Sequence, residues 1–148
     1  MDSSVAIVND LLVQVHRSLL QYAAESWPWA AVNDLDTEQH LLMTARRQEQ
    51  VVGRMVAFLK ECKHPIDFGV YPYEYTSLHF VSLGFFLNRL RESEAAVLVE
   101  LEAALPRLTE DSEASELVQN AVGVQKDVLK SLSEFHLAGS SEIGSASE

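Results

Sequence analysis

Apolar residues recur along this chain at spacings of three and four, and polar residues fill the gaps between them. That period places one stripe per segment on a helix face, whereas a strand would alternate every second residue. The first segment, about Ser4 to Ser26, carries Val5, Val8, Leu12, Val15, Leu19 and Ala23. Ser3 or Ser4 suits its N-cap, and Pro28 disfavours helical geometry at Trp27, which ends it. A second segment opens behind Asp36 or Thr37, with Glu38 and Gln39 in its first turn. Its stripe reads Leu41, Leu42, Ala45, Val52, Met55, Val56 and Leu59, and ends near Cys62. A third begins near Pro72 and Tyr73, proline being favoured in a first helical turn, and carries Leu78, Val81, Leu83 and Leu87. It either continues through Arg91-Glu92-Ser93-Glu94 to Leu105 or kinks there. The fourth runs from about Ser112 to Leu137 through Val118, Ala121, Val128 and Leu132.

Four amphipathic helices bury their stripes against one another, so the pattern predicts an all-α, four-helix bundle in one domain over residues 1–138. Residues 139–148 are rich in Gly, Ser and Glu and are expected to form an acidic, disordered tail. The 148-residue length fits one domain with a sizeable core. No apolar stretch reaches membrane-spanning length, the N-terminus lacks the basic residues of a leader, and the lone cysteine Cys62 suits a reducing compartment. The expected location is the cytoplasm. The net charge is −11. Residues 1–91 hold 10 acids and 8 bases, and residues 92–148 hold 12 acids and 3 bases. Such acidity repels phosphate backbones and argues against nucleic acid as a partner.

Polar residues on the apolar stripes are the candidate chemistry. A di-metal bundle site takes a Glu from each of two helices and Glu-x-x-His from the other two. Here Glu49 is followed by Val52 and Gln125 by Val128, so that set is incomplete. His16 and Gln125 are expected in a polar core. Glu49 is expected to pair with a buried or half-buried Arg or Tyr, and His16, at nearly the same height, is read either as a core-edge histidine bonded to a neighbour or as a ligand or proton-transfer group opposite Glu49. Trp27 and Trp29, with Tyr71 and Tyr73, offer an apolar surface for a partner or ligand. Cys62-Lys63-His64 lacks further ligands at metal spacing.

The link at residues 63–72 leaves two topologies open. A tight turn gives a simple up-down-up-down bundle. A crossover brings His79 towards Tyr22, Glu25 and Glu38. Ten extended residues reach at most roughly 33 Å, while a second helix of about 27 residues spans roughly 40 Å. Length favours the turn; the apolar Pro65, Ile66, Phe68, Val70 and Tyr71 favour a link packed along the helices.

The run His16-Arg17-Ser18-Leu19, with Tyr22, Pro28-Trp29 and Gln50, is followed by Gly69-Val70-Tyr71-Pro72 and Tyr75-Thr76-Ser77-Leu78-His79-Phe80-Val81-Ser82-Leu83. Over residues 10–137 this resembles small bacterial proteins of ferritin-like, rubrerythrin-like type. The resemblance implies a helix 2–3 crossover and, in the wider family, di-iron oxidation or iron storage. It carries Glu25 and Glu49 over as carboxylate ligands, while histidines are missing at Val52 and Val128 and a carboxylate at Gln125.

Three functions follow as expectations. The leading one is a non-catalytic bundle, with no cofactor, acting as a homodimer or on another protein. The second is a protein holding iron or another divalent metal through Glu25, Glu38, Glu49 and His79, with Glu74 nearby. The third is a carrier or sensor of a small apolar ligand lined by Phe80, Phe85 and Phe86. No nucleophile–base pair points to an enzyme.

Overall fold

A computed structural model describes the backbone of residues 2–26 and 35–147 and the side chains of residues 3–26, 35–79 and 81–134. The described residues are helical or irregular, with no strand among them. Two helices, α1 (Asp2–His16) and α2 (Leu19–Ser26), fill the first predicted segment. Helix α3 spans Leu35–Glu61, α4 spans Leu83–Ala104 and α5 spans Ser112–Ser147. Tyr73–Phe80 and Leu105–Leu108 are 3-10 turns. The final helix thus runs across residues 139–147, where composition predicts a tail.

In the third segment the structure corrects one expectation and chooses between two open alternatives. Pro72 does not begin its α-helix: the chain makes a 3-10 turn first, and α4 starts at Ser82, whose Oγ accepts from the Phe85 amide. No kink occurs at residues 91–94, because Glu94 turns into the core while Glu92 faces out. One helix satisfies both halves of that charged stretch.

Helix α3 ends in a Schellman motif. The Lys63 amide donates to the Lys60 carbonyl and the His64 amide to the Leu59 carbonyl. Lys63 accordingly takes a left-handed φ of 55°, a place where glycine is usual.

The link that follows lies along α1. The Asn9 side chain bonds both the amide and the carbonyl of Asp67. The Asp67 carboxylate turns the chain by accepting from the Gly69 amide. Gly69 has φ +69°, and a Cβ there would meet a Val13 methyl at 2.6 Å. Arg17 Nε then donates to the Phe68 and Gly69 carbonyls, and Tyr71 reaches Glu25 and the Tyr22 ring. Extended chain covers about 3.3 Å per residue against 1.5 Å for a helix. Four link residues therefore keep pace with about nine residues of α1, and because the connection continues through the 3-10 turn to Ser82, the expected shortage of length does not arise.

Residue groupings in the core give the helix directions. One cluster joins Ile7, Val8, Leu12, Met55, Leu59, Leu101, Leu108 and Ala114. The other joins Leu19, Tyr22, Leu41, Ala45, Phe86, Leu87, Leu90, Val128 and Leu132. Helices α3 and α4 both run from the second cluster to the first, while α1–α2 and α5 run the other way. Among the described residues no helix is long and apolar enough to cross a membrane.

Candidate functional site

A polar layer separates the two apolar clusters, and it is built from a break in a helix. At Arg17 and Ser18 the α-helical ladder stops, and the Ser18 amide bonds the Val15 carbonyl instead. Ser18 then caps α2, its Oγ accepting from the Gln21 amide at 3.3 Å. The Leu20 amide is thereby freed at a helix N-terminus, where partial positive charge favours an anion. It donates at 3.0 Å to Glu94 Oε2, reaching across from α4.

Glu94 is fully buried. Its Oε1 accepts from Gln48 Nε2 at 2.6 Å and from Gln125 Nε2 at 3.1 Å. Gln48 Nε2 also donates to Gln125 Oε1 at 2.9 Å, and Gln125 Nε2 to the Glu94 carbonyl at 2.9 Å. Gln48 Oε1 accepts from Ser18 Oγ and from Gln21 Nε2, each at 3.0 Å. Gln21 Nε2 also donates to the Ala45 carbonyl. Each of α2, α3, α4 and α5 supplies one long polar side chain, and every amide orientation is set by its neighbours. Burial raises the Glu94 pKa above the ordinary carboxylate value, against the opposing pull of the Leu20 amide, Gln125 and Gln48.

Smaller polar groups sit towards the second cluster. Ser131 Oγ lies 2.7 Å from His40 Nε2 and 2.8 Å from Thr44 Oγ1. Tyr22 Oη lies 2.7 Å from His79 Nε2, and its ring meets Tyr71 and Tyr75. Tyr71 donates to Glu25, and Arg17 lies 4.8 Å over its ring. Burial, with the Glu25 carboxylate beside it, pushes the Tyr71 phenol well above its usual range.

The sequence-based candidates scatter across these layers. Gln125 lies in the buried network, but His16 stands at its edge, with Nδ1 3.4 Å from Glu49 Oε1 and its ring against Phe68. Glu25 binds Tyr71 and His79 meets Tyr22, so the two carboxylate and imidazole groups flank a tyrosine cluster. Glu38 stays in the first turn of α3. Glu25, Glu49 and His79 are thus held by separate partners, and among the described residues no group of three His, Cys, Asp or Glu side chains could hold a metal. Tyr71 is tied down, whereas Tyr73 is 89% exposed. Phe86 is buried in the core and Phe85 faces outward, so they do not line one pocket as expected; the Phe80 side chain lies outside the described set. Trp27 and Trp29 also lie outside the described residues.

Sequence reasoning missed Gln21, Gln48 and Glu94. It placed Glu49 on the α3 stripe, yet Leu41, Ala45, Gln48, Val52, Met55 and Leu59 keep a strict alternation of four and three. The same alternation runs through Leu87, Leu90, Glu94, Val97 and Leu101, and through Val118, Ala121, Gln125, Val128 and Leu132. Extending each stripe at that spacing, instead of selecting apolar letters, identifies all three long-helix members of the network.

No protein-family model, curated protein or solved structure matches this chain.

Proposed function

We propose that this chain is a non-catalytic four-helix bundle of ferritin-like topology that acts through self-association or by binding another protein. The down-down pairing of α3 and α4, joined by a link laid along α1, supports the ferritin-like reading. One observation carries the functional part. Among the described residues of the polar layer at mid-bundle, Glu94 is the single carboxylate, and both its oxygens already accept from N–H donors. Amide N–H groups cannot serve as metal ligands, and the carboxylate lone pairs point at protons. The core is a closed polar lock that favours one helix pairing over others. Interaction then falls to the surface, where Val70, Tyr73 and Val99 are 82%, 89% and 60% exposed.

The test is elemental analysis of the full chain purified from cells supplemented with iron, manganese and zinc. Metal far below one ion per chain, with a melting temperature unmoved by added Fe²⁺ or Zn²⁺, is the expected result. Tightly retained, near-stoichiometric metal that raises the melting temperature overturns it.

A further inference from the structure

The bend between α1 and α2 contains no residue that forces it. Val15 to Tyr22 holds neither proline nor glycine, and every residue in it is tolerated in a helix interior. A break in such a stretch arises where side chains enter the backbone ladder, and here two do. Glu94 Oε2 takes the Leu20 amide at 3.0 Å, and Ser18 Oγ takes the Gln21 amide at 3.3 Å. An unbroken helix would give those amides to the carbonyls of His16 and Arg17, four residues earlier.

The groups hydrogen-bonded to the Glu94 carboxyl donate to it. Leu20 N–H approaches one oxygen, and Gln48 and Gln125 Nε2 approach the other, an arrangement that suits the ionised form. The groups facing it are Leu20 N–H and Ser18 from the bend, Gln48 from α3 and Gln125 from α5. The 3-10 turn adds Tyr75, whose pKa is raised by burial and also by the Glu94 charge. None of these is a cation, and among the described residues no ion pair reaches Glu94. Burial and the donors therefore pull its protonation in opposite directions, burial the more strongly.

A proton changes what the oxygens can do. Entering on Oε2, the oxygen with one N–H donor, it turns an acceptor into a hydroxyl that must itself donate. Ser18 Oγ, also beside the carboxyl, has a lone pair to receive that bond. The Leu20 amide then faces a neutral hydroxyl and loses its charge-assisted bond, while the Gln21 amide shares its cap. Both amides regain full bonds on the His16 and Arg17 carbonyls, which the end of α1 leaves without helical donors.

We infer that Glu94 operates this bend: ionised, it holds α1 and α2 apart, and on taking up a proton it releases Leu20 so that the two join into one continuous helix. The joined form belongs to the acid side, because the proton is taken up as pH falls through a folded-state value that burial raises. The link feels the change. It is held before the bend by Arg17, on the Phe68 and Gly69 carbonyls, and after it by Glu25 on Tyr71 and Tyr22 on His79. Straightening moves one set of contacts relative to the other and loosens the link on one side. The inference rests on the polar layer and holds whether or not the chain self-associates.

NMR of the isotope-labelled full chain tests this from about pH 8.5 to about 5.5, above the pI of ≈ 4.8. The Glu94 carboxyl carbon is expected to titrate inside that window. With the same midpoint, the Cα shifts of Arg17 and Ser18 move to helical values and the Leu20 amide proton moves upfield. Signals of the link between Phe68 and His79 shift with them. Glu94→Gln, which cannot ionise, shows the acid-form shifts at every pH, with circular dichroism verifying its fold. A Glu94 carboxyl that does not titrate in the window overturns the inference. So does one that titrates while the Arg17, Ser18 or link signals stay fixed, or a Glu94→Gln chain that keeps the bent-form shifts. Should that variant not fold, the titration of the parent chain decides by itself.

Discussion

Replacing Glu94 by glutamine removes a charge while keeping shape, and the surrounding donors determine the outcome. The carboxylate accepts from Leu20 N–H on one oxygen and from two glutamine amides on the other. An amide can present its oxygen to only one side. The less disruptive orientation turns its NH₂ towards the Leu20 amide and orphans that single backbone donor. An unsatisfied buried donor costs about 1–3 kcal/mol. Against this stands the relief of a buried charge. The Glu94 pKa is raised in the folded state by burial, so folding binds its proton more tightly than the unfolded chain does. Its contribution to stability is then fully present below the unfolded value near 4.5. That contribution is lost as pH rises through the folded pKa, at up to about 1.4 kcal/mol per pH unit. The stability difference between the parent and Glu94→Gln should thus move in the variant's favour between mild acid and pH 8, by up to about 1.4 kcal/mol per pH unit. Urea unfolding followed by circular dichroism across that range measures it, at micromolar protein because the pI is ≈ 4.8. A gap that widens with pH would mean the donors outweigh burial and the carboxylate is held ionised. A gap absent at every pH would mean the network is not closed around Glu94.

Three further outcomes are expected. Gly69→Ala combines a φ of +69° with a Cβ only 2.6 Å from a Val13 methyl, and should lower stability by about 2 kcal/mol; the double variant with Val13→Ala should regain part of the loss in thermal melts. Lys63→Gly relieves the left-handed residue that ends α3, and should stabilise by about 1 kcal/mol; destabilisation would mean the side chain has a role the motif does not explain. Asp111 caps α5 through the Ala114 amide and accepts from Ser4 Oγ, and these bonds lower its pKa. Its stabilisation is present above the unfolded value of 3.8 and lost as pH falls through the folded one. Asp111→Ala should cost about 1 kcal/mol at neutral pH and progressively less in acid.

Much of this architecture is legible from spacing alone. The three-four alternation places Leu41 to Leu59 and Leu87 to Leu101 on helices because a 3.6-residue period leaves only one face to bury. It also carries Gln48, Glu94 and Gln125, since a stripe does not depend on which residue fills it. The sequence could not show that Arg17 and Ser18 break the first helix. That break is supported by the Ser18 cap and by Glu94, 74 residues away in sequence, which receives the freed Leu20 amide. Nor could it decide where His79 lies, because both link paths were sterically open. Contacts of Asn9 with Asp67, of Val13 with Gly69 and of Arg17 with two link carbonyls decide it. Local periodicity determines each helix by itself, while the pairing of donors with acceptors across helices is a property of the assembled chain.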